Sequence, residues 1–189
     1  MPNSGFMLHV FVFQSILLAL GLLLARWTGQ DPLASCRWSL EAVALGTLGG
    51  AAMGFAALKL TSLPVFSDLE RMVDREIAPW FDGLSMQDLV AISLMAGASE
   101  EVLFRGALQP WMALWLPGGE WTAITAAAAL FGLCHALSPA YFLFAFGLGA
   151  VFGWASWAMQ DLAFAIILHA AYDAVVLLDM SLRRQQAEK

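Results

Sequence analysis

Long apolar stretches alternate with short polar ones along the chain. Six are apolar: residues 6–25, 40–60, 86–108, 121–137, 141–159 and 162–180. Each approaches the roughly 20 residues that a helix needs to cross the hydrocarbon layer of a bilayer. None shows the apolar-out, polar-in alternation of a transmembrane β-barrel strand. The first stretch has no Lys or Arg before it and is longer than the apolar core of a signal peptide, so it reads as a retained helix. Residues 61–85 differ. Seven charges there are interleaved with Leu69, Met72, Val73, Ile77, Trp80 and Phe81 at helical spacing. That spacing predicts an amphipathic helix on the membrane surface. Gln109-Pro110 is expected to end the third stretch, because the residue before a proline disfavours helix. Residues 111–116 then read as a short interfacial piece.

Composition turns this pattern into a class. Of 189 residues, 60% are hydrophobic and 13% charged, and mean hydropathy is +0.72. A soluble domain is nearer half apolar and a quarter charged, and a core this small cannot hide the excess. The expectation is an all-α polytopic membrane helix bundle of about six transmembrane helices, one domain over residues 1–189. Nine Lys and Arg against 15 Asp and Glu, with no basic stripe, exclude a nucleic-acid partner. Under a six-span topology Lys59, Arg71, Arg75, Arg183, Arg184 and Lys189 share one side, and Arg26 and Arg37 the other. The positive-inside rule then puts both termini in the cytoplasm, with the chain in the inner membrane. The tail from Arg183 to Lys189 is expected to fray. Cys36 and Cys134 read as free thiols. Gly46, Gly50 and Gly54, with Gly147, Gly149 and Gly153, fit close helix packing.

Ionisable side chains inside a span are costly and mark function by default. They are concentrated here. The third stretch carries Glu100, Glu101 and Arg105, the fourth Phe131 and His135, the sixth His169 and Asp173. Residues four apart share a helix face, so Glu101 and Arg105 form an ion pair. Glu100 points about 100° away and has no partner in its own helix. Asp173, one turn from His169, either fixes the imidazole tautomer or is a second polar group aimed at the site. Phe131 shapes the pocket by packing. His9 has no acidic partner nearby and reads as interfacial. Two histidines and a glutamate from separate helices fit two chemistries. One is a zinc site of Glu100, His135 and His169 with an open water position. The other is metal-free: Glu100 and His135 activate water, and His169 with Asp173 stabilises the oxyanion. Either hydrolyses a carbonyl substrate. One difficulty is depth. His135 lies near the end of its stretch while Glu100 and His169 lie deeper, a mismatch of several ångströms at about 1.5 Å per residue. Tilt or a different helix boundary has to remove it.

Glu-Glu-x-x-x-Arg, Phe-x-x-x-His and His-x-x-x-Asn/Asp, in that order on successive membrane helices, resemble the CPBP family. This family comprises the type 2 CaaX prenyl proteases and bacteriocin-processing enzymes, also called ABI proteins. The resemblance rests on Glu100, Glu101, Arg105, Phe131, His135, His169 and Asp173, with Gly106 after Arg105, and spans about residues 86–180. It implies an intramembrane endopeptidase acting on a small or lipidated, CaaX-like peptide or protein at the bilayer. Glu100 would be the base, helped by His135. Glu101 and Arg105 would hold local structure, and His169 and Asp173 would line the oxyanion side. The resemblance leaves zinc and a metal-free, glutamate-dependent route equally open. The third motif often ends in Asn, whereas here it ends in Asp173, which donates to an oxyanion only when protonated. Two other classes stand beside the protease: a non-catalytic scaffold or peptide-immunity factor, and a small cation or proton transporter. The transporter lacks the second symmetric half that many such folds show.

Overall fold

The computed structural model describes residues 4–187. The helices are α1 Ser4–Thr28, α2 Leu40–Thr61, α3 Ser67–Met72, α4 Met86–Leu103, α5 Gln109–Trp115, α6 Glu120–Cys134, α7 Pro139–Met159 and α8 Leu162–Ala187. No strand occurs among the described residues. Local chemistry starts the helices where they start. Ser39 accepts from the Ala42 amide at 3.0 Å to open α2. Ser85 and Asp88 form a reciprocal capping box on α4. Ser138 caps α7, with Pro139 in the first turn, where its missing N–H is not needed.

Helices α1, α2, α7 and α8 are long and apolar enough to cross a membrane. Helix α4 carries ionisable groups, and α6 is an apolar helix of 15 residues. Successive long elements alternate in direction. Gln14 and Gly21 of α1 lie beside Ser99 and Leu103, so α1 and α4 run parallel. Gly97 of α4 packs on Ile166 and Ala170, while Leu89 and Ile92 meet Leu177 and Met180, so α4 and α8 are antiparallel. Helices α6 and α7 form an antiparallel hairpin in which Gly132 faces Phe142 and Phe146. Phe6, Met7 and Val10 pack with Leu177 and Met180, which brings the two ends of the described chain to one end of the bundle.

Several boundaries differ from the sequence expectations. The surface helix over 61–85 is broken into a tight turn at Pro64–Phe66, α3, a wide turn at Val73–Ile77 and a second tight turn at Ala78–Phe81. Pro79 lacks the N–H that a continuous helix would use. Leu69 and Ala78 are buried, and Val73, Ile77 and Phe81 close the end of the bundle, while Trp80 stays exposed. Helix does not stop at Gln109-Pro110. It passes through a widened turn at Phe104–Leu108 into α5, with Pro110 in that helix's first turn. Residues 183–187 do not fray as expected but continue α8, with Arg183 bound to Asp179 at 2.6 Å and to Glu70 at 3.1 Å. Lys189 lies outside the described residues.

Candidate active site

The centre of the site is Glu101, which is fully buried. Its Oε1 accepts from Arg105 Nη1 at 2.9 Å and from His169 Nδ1 at 2.8 Å. The expected ion pair is therefore present, but it is one arm of a fork whose other arm reaches α8. Arg105 also donates from Nη2 to the Gly149 carbonyl at 2.7 Å, and its guanidinium lies 4.9 Å from the Phe131 ring centroid. A Cβ on Gly149 would come within 3.2 Å of Ala128 and Phe131, so glycine permits that approach. One turn on, Gln109 Nε2 donates to the Gly153 carbonyl at 3.1 Å. Arg105 and Gln109 thus grip α7 at the same four-residue spacing as Gly149 and Gly153.

The same fork settles which group orients His169. A carboxylate accepts and cannot donate, so Nδ1 carries the proton. Nε2 then faces Asp173 Oδ2 at 3.5 Å. Glu101, rather than Asp173, holds the ring from Nδ1, and Asp173 stands at the opposite nitrogen. The imidazole is stacked on Phe152 at 4.5 Å and 14°.

Glu100 is the adjacent residue with the opposite circumstances. Its Oε2 is buried and has no hydrogen-bond partner. Across from it stands His135 Nε2, at 3.9 Å. His135 Nδ1 donates to the Phe131 carbonyl at 2.8 Å, and the ring stacks on Phe131 at 4.5 Å. A carbonyl only accepts, so neutral His135 keeps its lone pair on Nε2, facing Glu100. The depth mismatch is absent from the structure, in which α6 ends at Cys134 rather than at Leu137. His135, at the end of α6, sits beside Glu100, about four turns into α4.

Glu100, His135, His169 and Asp173 line one cavity of about 310 Å³. The rest of its wall is largely apolar. It extends to Thr61, Glu70, Asp74 and Arg183 at the end of the bundle that carries both chain ends. Tyr141, edge-on to His135 at 6.4 Å, and Tyr172 line it as well. Sequence reasoning did not single out Phe152, Tyr141, Gln14 or Gln109. Gln109 left a trace, the Arg105/Gln109 spacing matching that of Gly149/Gly153. His9 is exposed and bonds the Gly5 carbonyl at 2.6 Å, away from the site. Cys36 and Cys134 are free thiols, and burial pushes the Cys36 thiol up, with Asp161 adding to the shift.

The zinc reading asks Glu100, His135 and His169 to converge. Glu100 and His135 lie 3.9 Å apart, while His169 Nε2 faces Asp173 instead of that pair. Among the described residues no three His, Cys, Asp or Glu side chains converge so as to hold a metal ion. As arranged, the three residues do not fit that ligand set.

Residues 83–175 match the family model described as Type II CAAX prenyl endopeptidase Rce1-like. No curated protein and no solved structure matches the chain. The matched stretch, just under half of the chain, contains all seven motif residues from Glu100 to Asp173, and over it the chain is similar to that endopeptidase family. Its long apolar helices make it an integral membrane protein.

Proposed function

We propose that this membrane protein is an endopeptidase that hydrolyses a peptide bond with a water held between Glu100 and His135. The observation that carries the reading is the pair of lone-pair atoms facing each other across 3.9 Å, Glu100 Oε2 unpartnered and His135 Nε2 left as an acceptor. Both need a donor. A water giving one proton to each sits at ordinary hydrogen-bond distance from both. Its oxygen lone pair is then free to attack a carbonyl carbon. Glu100 accepts the proton released on attack and returns it to the departing amine. His135 keeps the water oriented, and its own orientation is held by Phe131.

The opposite wall supplies the oxyanion side. His169 donates from Nδ1 to Glu101, so a neutral ring would turn a lone pair on Asp173. One proton held between Nε2 and Asp173 relieves that conflict. It also provides a donor where negative charge develops. Asp173 can therefore serve where the family pattern often has Asn. This glutamate-dependent route needs no metal ion. The apolar cavity suits a membrane-associated substrate segment, lipidated or otherwise apolar. It extends to Glu70, Asp74 and Arg183, on the side that the Lys and Arg distribution assigns to the cytoplasm, in an inner-membrane setting.

The test compares peptide termini, by mass spectrometry, in membranes expressing the wild type and Glu100→Gln. Gln cannot take the proton, so new termini are expected with the wild type alone and at equal folded yield. Cleavage that survives Glu100→Gln overturns the assignment.

A further inference from the structure

Helix α1 lies outside the stretch that carries the three motifs, and most of its surface faces outward. Its buried positions are Gln14, Gly21 and Ala25. Gly21 is a close-packing contact on Leu103 and Val102. Gln14 is different: a carboxamide 7% exposed, at membrane depth, in an apolar helix. Such a group is expensive unless something binds it.

Half of that amide is bound. The Ser99 hydroxyl donates to Gln14 Oε1. A carboxamide has an acceptor end and an NH2 end with two donors. With the oxygen held by Ser99, the NH2 end is left over, and it makes no hydrogen bond among the described residues. It is not sealed in protein either, since the buried polar atoms without partners belong to Glu100, Glu101, Arg105 and Gln109. Gln14 lines the same cavity as Glu100, His169 and Asp173.

Besides the proton held between His169 and Asp173 and the phenols of Tyr141 and Tyr172, the motif residues in the cavity offer no further donor. His135 has given its N–H to Phe131, His169 has given Nδ1 to Glu101, and Glu100 and Asp173 are carboxyl groups. A peptide brings carbonyl oxygens that need donors, and most of all the one that becomes negative on attack.

We propose that the Gln14 carboxamide NH2 donates to the substrate's scissile carbonyl oxygen and strengthens that bond as the oxygen gains charge. Ser99 holds the amide by its oxygen, which leaves the nitrogen to donate. The inference rests on the proposed hydrolytic site.

The test is single-turnover and steady-state cleavage by the purified full chain in detergent or vesicles. The substrate is a peptide identified in the Glu100→Gln comparison. Gln14→Met keeps length and apolar fit but has no donor. It is expected to lower kcat about 100-fold or more, as the loss of an oxyanion donor does, with KM little changed. Ser99→Ala keeps the donor and removes its clamp, and should cost only a few-fold. The thermal midpoint of Gln14→Met in detergent should match the wild type, and that of Ser99→Ala should fall slightly, since the buried Gln14 oxygen loses its partner. Unchanged kcat in Gln14→Met, a rise in KM alone, or an equal loss in Ser99→Ala would each overturn the assignment of Gln14. If the wild type shows no Glu100-dependent cleavage, the hydrolytic reading itself has failed, a result distinct from any of these.

Discussion

Helix α8 is held on one side by the absence of side chains and on another by charge. Against α2 it meets Gly46, Gly50 and Gly54, spaced one turn apart, and a Cβ on Gly50 would lie 2.2 Å from the Leu168 carbonyl oxygen. Against α4 it meets Glu101, whose carboxylate joins His169 to Arg105, with Arg105 reaching on to α7. Lipid tails are as apolar as the helices, so burial gives little drive for helix association, and close packing or hydrogen bonds have to supply it. The α2 seam uses the first and the polar centre the second. The two should therefore fail differently. A seam built on contact cannot accept added volume, whereas a centre built on paired charge can accept volume but not an odd charge.

The largest effect is expected at the seam. Gly50→Leu puts a side chain into backbone that has nowhere to go, since the obstructing atom is a carbonyl oxygen of the facing helix. A loss of about 5 kcal/mol or more is expected, beyond the usual range of a point substitution. It reads out as little or no folded, monodisperse protein in detergent. Recovery of normal yield and midpoint would mean that α2 and α8 can separate without cost.

At the polar centre the expected loss is smaller and reversible by a second change. Arg105→Leu leaves Glu101 charged and buried with His169 as its remaining partner, at about 3–4 kcal/mol. Adding Glu101→Met removes the stranded charge, and most of the stability should return. His169 Nδ1 then lacks its acceptor, which holds back about 1–3 kcal/mol. Cleavage stays lost in the double variant, because the ring is no longer oriented. Midpoints in detergent for the two single variants and the double variant, taken as a cycle, check this. A double variant no more stable than Arg105→Leu would show that the centre is held by more than charge pairing.

The two regions also differ in how much the sequence disclosed. The residues of the polar centre stood out because Glu, Arg and His are costly in an apolar stretch. Arithmetic along one helix paired Glu101 with Arg105. It could not show that His169, from another helix, shares the same oxygen, so Asp173 was given part of the orienting role that Glu101 performs. Gln14 read as an interruption in an apolar run, because its partner Ser99 is distant in sequence. The end of α6 was set three residues too late, since hydropathy continues past Cys134 while the helix does not. The widened turn at Phe104–Leu108 leaves no signature in composition, yet through it Arg105 and Gln109 both meet α7. At the seam, spacing was enough: glycines four apart share one face, and all three meet α8.

Gly147 sharpens that last point. It was grouped with Gly149 and Gly153 as a packing glycine. Two residues is about 200° of helix, so Gly147 points away from the face that Gly149 and Gly153 share. Nothing lies within 4 Å of a Cβ built there. With no neighbour to displace, the remaining effect is on the chain itself, where Ala loses less freedom than Gly on entering a helix. Gly147→Ala should leave cleavage unchanged and raise stability by about 0.5–1 kcal/mol, seen as a small upward shift in the detergent midpoint. Gly149→Ala, on the crowded face, should lower the midpoint instead, because Ala128 and Phe131 have to give way and Arg105 loses its approach to the carbonyl. If both substitutions move the midpoint the same way, then close packing by glycine here is a property of α7 as a whole and not of one face.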